Sequence, residues 1–371
     1  MDQYSAPHDY VRRLRDGRCV IVSRSTTLSR IQWLFYGLGN IGPFLAIGTT
    51  WAEKRVGFWL SFTVPCAITF LLPLILFLIY RKAVKVKPDG KQLLQALWIF
   101  WIMLRKEKWR LFFRDTAWNA ARPTNLSSKE TAAIEERQIS WDDDYVNQVK
   151  HNYAACKMFF FFIIYDLAGG GIGVIEGSQA STLTTNGVPN DLLWNLNPIA
   201  TVVFMPVLSY GLFPFLQRRR IRCGYVIRMT TGFLLASVSS LYGAVLQWKV
   251  YQTSPCGYHA TGCEIGSGVS PISVWAQSPI YIINALSQLL AWTAAYEIAY
   301  LHSPKHMKAV TLSVLLFVGI FNNAISVACA PAISDPYLIW VWAVPGLANL
   351  IQTVYFYWNY RHVDKNNLPA A

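Results

Sequence analysis

Eight long apolar segments constrain this 371-residue chain more than any other feature. A helix that crosses a bilayer needs about 20 mostly apolar residues. Segments of that kind occupy, in chain order, residues 31–51, 56–80, 158–178, 197–216, 229–248, 274–300, 309–333 and 337–359. The sequence therefore predicts an all-α, multi-pass integral membrane protein with eight transmembrane helices.

The basic residues fall almost entirely on one side of these segments. When the eight segments are threaded alternately, Lys54, Arg55 and Lys249 lie on the outer side and the other 30 of the 33 Lys and Arg lie on the inner side. Loops rich in Lys and Arg stay in the cytosol, so both termini are predicted to be cytosolic. Because 53% of the residues are hydrophobic, the net charge of +13 indicates contact with membrane lipids and not with nucleic acid.

The distribution of charge and apolar segments predicts five regions. They are a cytosolic N-terminal tail (1–30), two transmembrane helices (31–80), a cytosolic linker (81–150), a six-helix bundle (151–361) and a cytosolic C-terminal tail (362–371). The first of them holds six Arg and no sustained apolar core, so no signal peptide is predicted.

Residues 93–104 are apolar but too short to span. They predict a helix lying in the inner interface or packed beneath the bundle, and the alternative is a solvated helix with one apolar face.

The cysteines and the catalytic motifs argue against an enzyme. The seven cysteines include no CxxC pair, and the sequence has no HExxH, GxSxG or GxxxxGK[ST] motif. No catalytic residue, metal or cofactor is therefore predicted. Cys256 and Cys263 share a loop that the charge distribution places outside the cell, where a structural disulfide between them is expected.

A few polar residues interrupt the apolar segments, and such residues are functional candidates because they are costly in hydrocarbon. They are Asn40, Asp166, Glu176, Asn197, Gln288, Glu297, Asn322 and Asn323. At each position the alternative is hydrogen bonding between helices, which contributes about 0.6 to 2 kcal/mol. Asp166 lies well inside its segment, so we expect it to face a cavity, contact a cation or titrate, and it is the candidate for proton linkage. The glycines from Gly169 to Gly173 favour close helix packing or a hinge.

Longer strings of the sequence resemble one known family. They are FYGLGNIG, TTWAEKRVGFWLSF, WNAARP, SWDDDYV, TTNGVPNDLLWNLNPI, RMTTGFLLA, QTSPCGYHATGC, SPISVWAQSPIYIINALSQ, YEIAYLHSPKHMKA and DPYLIWVW. From about residue 2 to 361 the chain resembles the proton-coupled oligopeptide transporter family of the major facilitator superfamily, in its fungal form. The resemblance implies a bundle of the major facilitator type. The eight segments would be two helices of the first bundle and the complete second bundle, with the family's first four helices lacking.

The resemblance also implies a set of substrate-binding residues. Asn40 matches an Asn that contacts the peptide backbone in the family, and Asn197 matches the Asn of its NP motif near the cavity. Gln288 replaces an acidic residue that pairs with the free amino terminus of the substrate, so the charge for an ammonium group is absent there. Trp292 replaces a residue that is usually small, which would narrow the pocket.

The function implied by the resemblance is secondary, proton-coupled transport of di- or tripeptides or related solutes at the plasma membrane. The family's ExxERFxYY motif and a substrate-binding Lys belong to the segment that is lacking, so impaired transport is expected for a truncated member. One alternative is a pocket repurposed for a bulkier, less cationic metabolite. Another is a non-transporting interaction or regulatory protein that assembles with a partner bundle or oligomer.

Overall fold

A computed structural model describes most of the chain. The described residues are 9–13, 16–17, 19–83, 85, 91–107, 115–126, 141–170, 172, 175–188, 190–219, 223–304 and 307–366. Parts of the predicted tails and linker, Gly171, Gly173 and most of the basic turn between the fourth and fifth apolar segments therefore lie outside the described residues.

Helices make up most of the described residues. In chain order the α-helices are α1 (Arg24–Gly39), α2 (Phe44–Arg55), α3 (Phe58–Phe70), α4 (Leu72–Ile79), α5 (Lys91–Glu107), α6 (Asp143–Phe159), α7 (Phe162–Gly169), α8 (Ile175–Ser181), α9 (Leu196–Pro206), α10 (Phe213–Arg218), α11 (Tyr225–Thr253), α12 (Ser278–Glu297), α13 (Lys308–Ala328) and α14 (Leu338–Asn366). Two short sheets accompany them. Strands β1 (Tyr10–Arg13) and β2 (Cys19–Val22) pair antiparallel, and β3 (Leu183–Thr184) pairs parallel with β4 (Ser270–Ser273).

Five of the predicted spans are helices that are long and apolar enough to cross a bilayer, within the part of the chain that the structure describes. They are Phe58–Ile79, Leu192–Leu216, Tyr225–Thr253, Lys308–Ala328 and Leu338–Asp364. The first of them, formed by α3 and α4, has no buried residue. Such a surface is what contact with lipid requires. Helix α12 also has the length of a span, and it carries polar residues such as Asn284 and Gln288.

Two predicted spans are interrupted. Residues 31–51 form α1 and α2, which are separated by a turn at 40–43 that ends in Pro43. Proline lacks an N–H donor and favours the first turn of a new helix, so it marks the start of α2. Residues 158–178 contain the end of α6, all of α7 and the start of α8. Helix α7 ends at Gly169, where the run of glycines favours a break because glycine has a low helix propensity.

The predicted tails contain ordered structure. The β1–β2 hairpin and the start of α1 at Arg24 fall in the predicted N-terminal tail, and α14 continues to Asn366 in the predicted C-terminal tail. Helix α6 begins within the predicted linker. Its N-cap is Asp142, whose Oδ1 accepts a hydrogen bond from the backbone N–H of Tyr145 at 2.8 Å.

Contacts divide the chain into two compact units. The first comprises Met1–Val84, Phe161–Glu297 and Gly319–Ala371, and the second comprises Lys85–Phe160 and Ile298–Val318. In the first unit, α11 packs closely against α12 and α14. Gly232 of α11 permits this approach, because a Cβ there would lie 2.8 Å from both the Cβ of Ala291 and the carbonyl oxygen of Ser287.

The second unit has its own core. Ala96, Ile99 and Ile102 on one face of α5 are buried, together with Trp118 and with Val146 of α6. The apolar segment 93–104 is thus helical, and protein covers one of its faces, whereas Leu93, Leu97 and Leu104 are exposed. The Tyr145 hydroxyl donates a hydrogen bond of 2.9 Å to the backbone oxygen of Gln92, which joins α6 to α5.

The loop after α11 carries the predicted disulfide pair. Cys256 and Cys263 are joined by a disulfide in the structure. Asp335 holds the same loop, because its carboxylate accepts hydrogen bonds of 2.6 Å from the Tyr251 hydroxyl and from the backbone N–H of Thr261. The loop is therefore attached both to α11 and to the segment that precedes α14.

Candidate functional site

Asp166 of α7 lies among aromatic side chains from three helices of the first unit. The Trp292 side chain of α12 lies near the Asp166 carboxylate. Three phenols lie within electrostatic reach of it, Tyr36 of α1, Tyr165 of α7 and Tyr296 of α12. None of these four neighbours carries a positive charge. We call these five residues the Asp166 cluster.

The geometry of α12 explains how two of these rings reach Asp166. Residues four apart in a helix lie on the same face, so Gln288, Trp292 and Tyr296 form one stripe along α12. The Trp292 and Tyr296 rings are 5.7 Å apart between centroids. On the side of α7, the Phe162 ring is 4.9 Å from that of Trp292 and tilted by 60°. The stripe of α12 therefore faces the helix that carries Asp166.

Buried hydrogen bonds fix α7 against α12. The Tyr165 hydroxyl and the Ser287 hydroxyl are 3.0 Å apart, and Ser287 donates a hydrogen bond of 2.7 Å to the carbonyl oxygen of Gly232. The Asn284 amide donates to the carbonyl oxygen of Gly169, at the end of α7. The helix is thus held at its C-terminal end, where its carbonyl groups lack partners within the helix. This anchoring sets the position of Asp166.

Helix α1 brings Tyr36 to the cluster, because it packs against α9 and α12. Asn40 lies one turn beyond Tyr36, and its amide donates a hydrogen bond of 2.8 Å to the backbone oxygen of that residue. Asn197 is partly buried in the first turn of α9. Of the residues predicted from the sequence, the structure thus brings Asp166 and Trp292 together, with Gln288 on the same stripe and Asn40 next to Tyr36. The contacts of the cluster do not include Asn197.

Glu297 lies in a second polar cluster, and its partner was not singled out from the sequence. Its carboxylate forms an ion pair with Arg228 of α11, and both side chains are almost fully buried. Arg228 also donates a hydrogen bond of 2.8 Å to the Thr293 hydroxyl. The Trp33 and Phe213 rings cover the guanidinium, with centroids at 5.2 and 5.4 Å. Arg228 directly precedes an apolar segment, so in the sequence it resembles the flanking basic residues of any span.

Glu176 lies in a third polar cluster and is only 3% exposed. The Tyr281 side chain lies near its carboxylate. Next to it, the Gln179 amide donates to the side-chain oxygen of Gln247 at 3.0 Å, and the Gln277 amide donates to the backbone oxygen of Glu176 at 2.9 Å. These bonds connect α8, α11 and the turn before α12. This cluster is closed, whereas Asp166 keeps some exposure.

The chemistry of the three carboxylates differs accordingly. Glu297 is neutralised by Arg228, and Glu176 is enclosed by amides and a phenol. Asp166 is partly accessible and its four neighbours are uncharged, so its charge can be balanced by a proton or by a bound cation. Over the described ranges, no three His, Cys, Asp or Glu side chains come together as metal ligands.

Long apolar helices with polar residues clustered between them define a polytopic integral membrane protein. Comparison with known sequences then identifies the particular class. The family model of the POT family matches residues 23–345. The chain therefore belongs to the POT family, the proton-coupled oligopeptide transporters, as the strings in its sequence predicted.

Several fungal proteins are similar over almost the whole chain. The MFS-type transporter ucsM of an Acremonium species is 39% identical, and the alignment covers 97% of this chain and 59% of the relative. Peptide transporter PTR2 of Candida albicans is 35% identical over 98% of this chain and 59% of its own length. Peptide transporter PTR2 of Saccharomyces cerevisiae is 28% identical, with 97% and 57% covered. The chain thus spans under two thirds of the length of these relatives.

The fold is also that of a solved structure. A crystal structure of an autoinhibited POT family peptide transporter superposes with a TM-score of 0.59 and 13% sequence identity. The match covers 94% of this chain and 71% of the other. At this identity the likeness concerns the fold alone. It agrees with the predicted helical bundle and leaves the count of eight spans as a prediction.

Proposed function

We propose that this chain transports small peptides, such as di- and tripeptides, or related solutes across a membrane as part of a secondary, proton-coupled carrier. The observation that carries the proposal is the Asp166 cluster, because a partly accessible carboxylate among uncharged neighbours in a helical bundle needs a ligand or a proton. Membership of the POT family and the peptide transporters among its relatives support it. The proposal includes no catalysis, metal or cofactor.

The proposed architecture keeps the eight spans predicted from the sequence. Two of them precede the linker and six follow it, in a bundle of the major facilitator type. The positive-inside rule supports cytosolic termini, and family habit supports the plasma membrane. Lipids would cover the apolar surface of α3 and α4, and a partner bundle or oligomer would complete a carrier that works by alternating access.

The proposed substrate site joins the Asp166 cluster to the polar residues near it. Asn40 and Asn197 would bind the polar backbone of the substrate, Gln288 would accept a hydrogen bond, and Trp292 would limit the size of the pocket. Asp166 would be the proton-linked group. This assignment predicts that a pH gradient drives uptake and that neutralising Asp166 uncouples it.

Uptake by proteoliposomes tests the proposal directly. Purified chain is reconstituted, the outside is made acidic relative to the inside, and accumulation of radiolabelled dialanine is followed with and without a protonophore. We expect uptake above that of protein-free liposomes, and we expect the protonophore to remove the excess. A rate equal to that of protein-free liposomes would contradict the proposal. The Gln288→Glu variant is a second test, because a restored negative charge should increase dipeptide uptake.

A further inference from the structure

Asp166 differs from Glu297 because its identified neighbours are aromatic side chains that supply no cation, and from Glu176 because it is partly accessible. The Trp292 ring packs 4.9 Å from that of Phe162, one turn before Asp166 on α7, and the phenols of Tyr36, Tyr165 and Tyr296 lie within electrostatic reach. An ionised carboxylate is costly in such surroundings unless a positive charge is bound to it. The cluster is therefore suited to a ligand that brings its own positive charge.

The rings narrow the chemical class of that ligand. The negative face of an aromatic ring attracts a cation that lies within about 6 Å of its centroid, and this attraction favours organic ammonium groups. The rings of Trp292 and Tyr296 are neighbours at 5.7 Å, and they belong to the same face of α12 as Gln288. A cation bound to Asp166 would thus be next to two aromatic rings and to a neutral amide that can accept a hydrogen bond.

We propose that Asp166, with the rings of Trp292, Tyr296 and Tyr36, is the subsite for the primary ammonium group of the substrate. This inference rests on the proposed function and names the part of the substrate that the site recognises. Gln288 carries no charge, so the negative charge that attracts the ammonium group comes instead from the Asp166 carboxylate on α7. The backbone of the substrate would extend from this point past Gln288 and towards Asn40.

The packing around α7 supports a fixed subsite. Tyr165 is held through its hydroxyl contact with Ser287, and the end of α7 is held by the hydrogen bond from Asn284 to Gly169. Phe162 lies against Trp292 at 4.9 Å between ring centroids. A carboxylate and rings fixed before the ligand arrives lose little freedom on binding, which favours affinity.

The matched pair of ligands that tests the inference differs only at the amino group. Binding of dialanine and of N-acetyl-dialanine to the purified chain in lipid nanodiscs is measured by titration calorimetry. Charge-assisted hydrogen bonds and cation–π contacts favour the free amine, so we expect it to bind at least about tenfold more tightly than the acetylated peptide. Equal affinity for the two peptides, or binding of neither, would overturn the inference.

Variants identify the carboxylate. Asp166→Asn keeps the shape of the side chain and removes its charge, so the ratio of the two affinities should fall to about one, while Asp166→Glu should retain a preference for the free amine. Trp292→Phe should reduce the preference by a smaller factor. Glu264→Gln is the matched control, because it removes a negative charge from an exposed loop residue. An unchanged preference in folded Asp166→Asn protein would overturn the inference.

Binding and transport can fail separately. If the chain prefers the free amine but catalyses no uptake in proteoliposomes, the ammonium subsite stands and the proposed transport function does not. If it takes up both peptides at equal rates, transport stands and the ammonium subsite is overturned. The two experiments together therefore distinguish the two proposals.

Discussion

The buried ion pair between Arg228 and Glu297 permits a quantitative prediction. In Glu297→Gln the charge of the guanidinium loses its counter-charge, while its hydrogen bond to the Thr293 hydroxyl and the rings on its two sides remain. A guanidinium group in a protein cannot lose its charge. The variant must therefore fold with an unneutralised charge that is only 7% exposed, or lose the packing around it.

The size of the effect follows from these contacts. Removing one partner of a buried ion pair costs about 3–5 kcal/mol. The Trp33 and Phe213 rings each offset part of that cost, since a cation–π contact contributes about 0.5–2 kcal/mol. We therefore expect Glu297→Gln to lower the free energy of unfolding by about 3 kcal/mol. Arg228→Met combined with Glu297→Gln should cost less than the single change, because no charge is then left buried.

Equilibrium unfolding in mixed micelles measures both effects. The chain has 15 Trp, so its intrinsic fluorescence reports unfolding as the denaturing detergent is increased. Glu264→Gln serves as the control, and a change on an exposed loop should stay within about 0.5 kcal/mol of the unmodified chain. A Glu297→Gln variant as stable as this control would refute the reasoning. The reasoning would also be refuted if the double variant lost as much unfolding free energy as Glu297→Gln and Arg228→Met lose together. Such a result would show that the two side chains are not coupled.

Further predictions concern other parts of the first unit. Asp364 caps α11, because its carboxylate accepts hydrogen bonds from the backbone N–H groups of Val226 and Ile227. Gly224→Ala should destabilise the protein by about 1–3 kcal/mol in thermal unfolding, because the added Cβ would lie 2.2 Å from the Cγ of Asp364. A Gly177→Ala control meets no atom within 4 Å and should match the parent protein. Replacing both cysteines of the disulfide by Ser should cost about 2 kcal/mol in the same assay, since the bond closes a short loop; an unchanged stability would contradict a structural role. In cells, a tag at the C-terminus should be accessible only after the membrane is permeabilised, and labelling of intact cells would contradict cytosolic termini.

The sequence predicts the membrane helices best where an apolar segment is continuous. The segment 229–248 lies within α11, and 337–359 lies within α14 except for its first residue, because length and hydropathy alone require such residues to be helical in a bilayer. Prediction is weaker where local breaks decide the ends. The segment 31–51 contains a turn before Pro43, and the segment 158–178 contains the break after Gly169. A hydropathy window averages over these residues and does not register them.

The candidate site could be predicted only in part. The cost of a carboxylate in an apolar segment singles out Asp166, and the resemblance to the family singles out Gln288 and Trp292. Which rings face Asp166 depends on how α1, α7 and α12 pack, and no spacing in the sequence contains that information. Arg228 was missed for a related reason, since a basic residue at the start of a span usually faces the aqueous interface. Only the position of Glu297 in the structure reveals that Arg228 forms a buried ion pair.

The two acids on either side of the α7–α12 contact illustrate what distinguishes a binding group from a structural one. Both are carboxylates in a largely apolar bundle, and both have aromatic rings nearby. Glu297 already has a cation on a neighbouring helix, so another cation would have to displace a buried guanidinium. Asp166 also has rings nearby, but none of its identified neighbours is a cation. A cationic ligand can therefore bind there without breaking an existing ion pair. This difference in neighbours, more than the identity of the residue, makes Asp166 the carboxylate that is free to take up a proton or a cation.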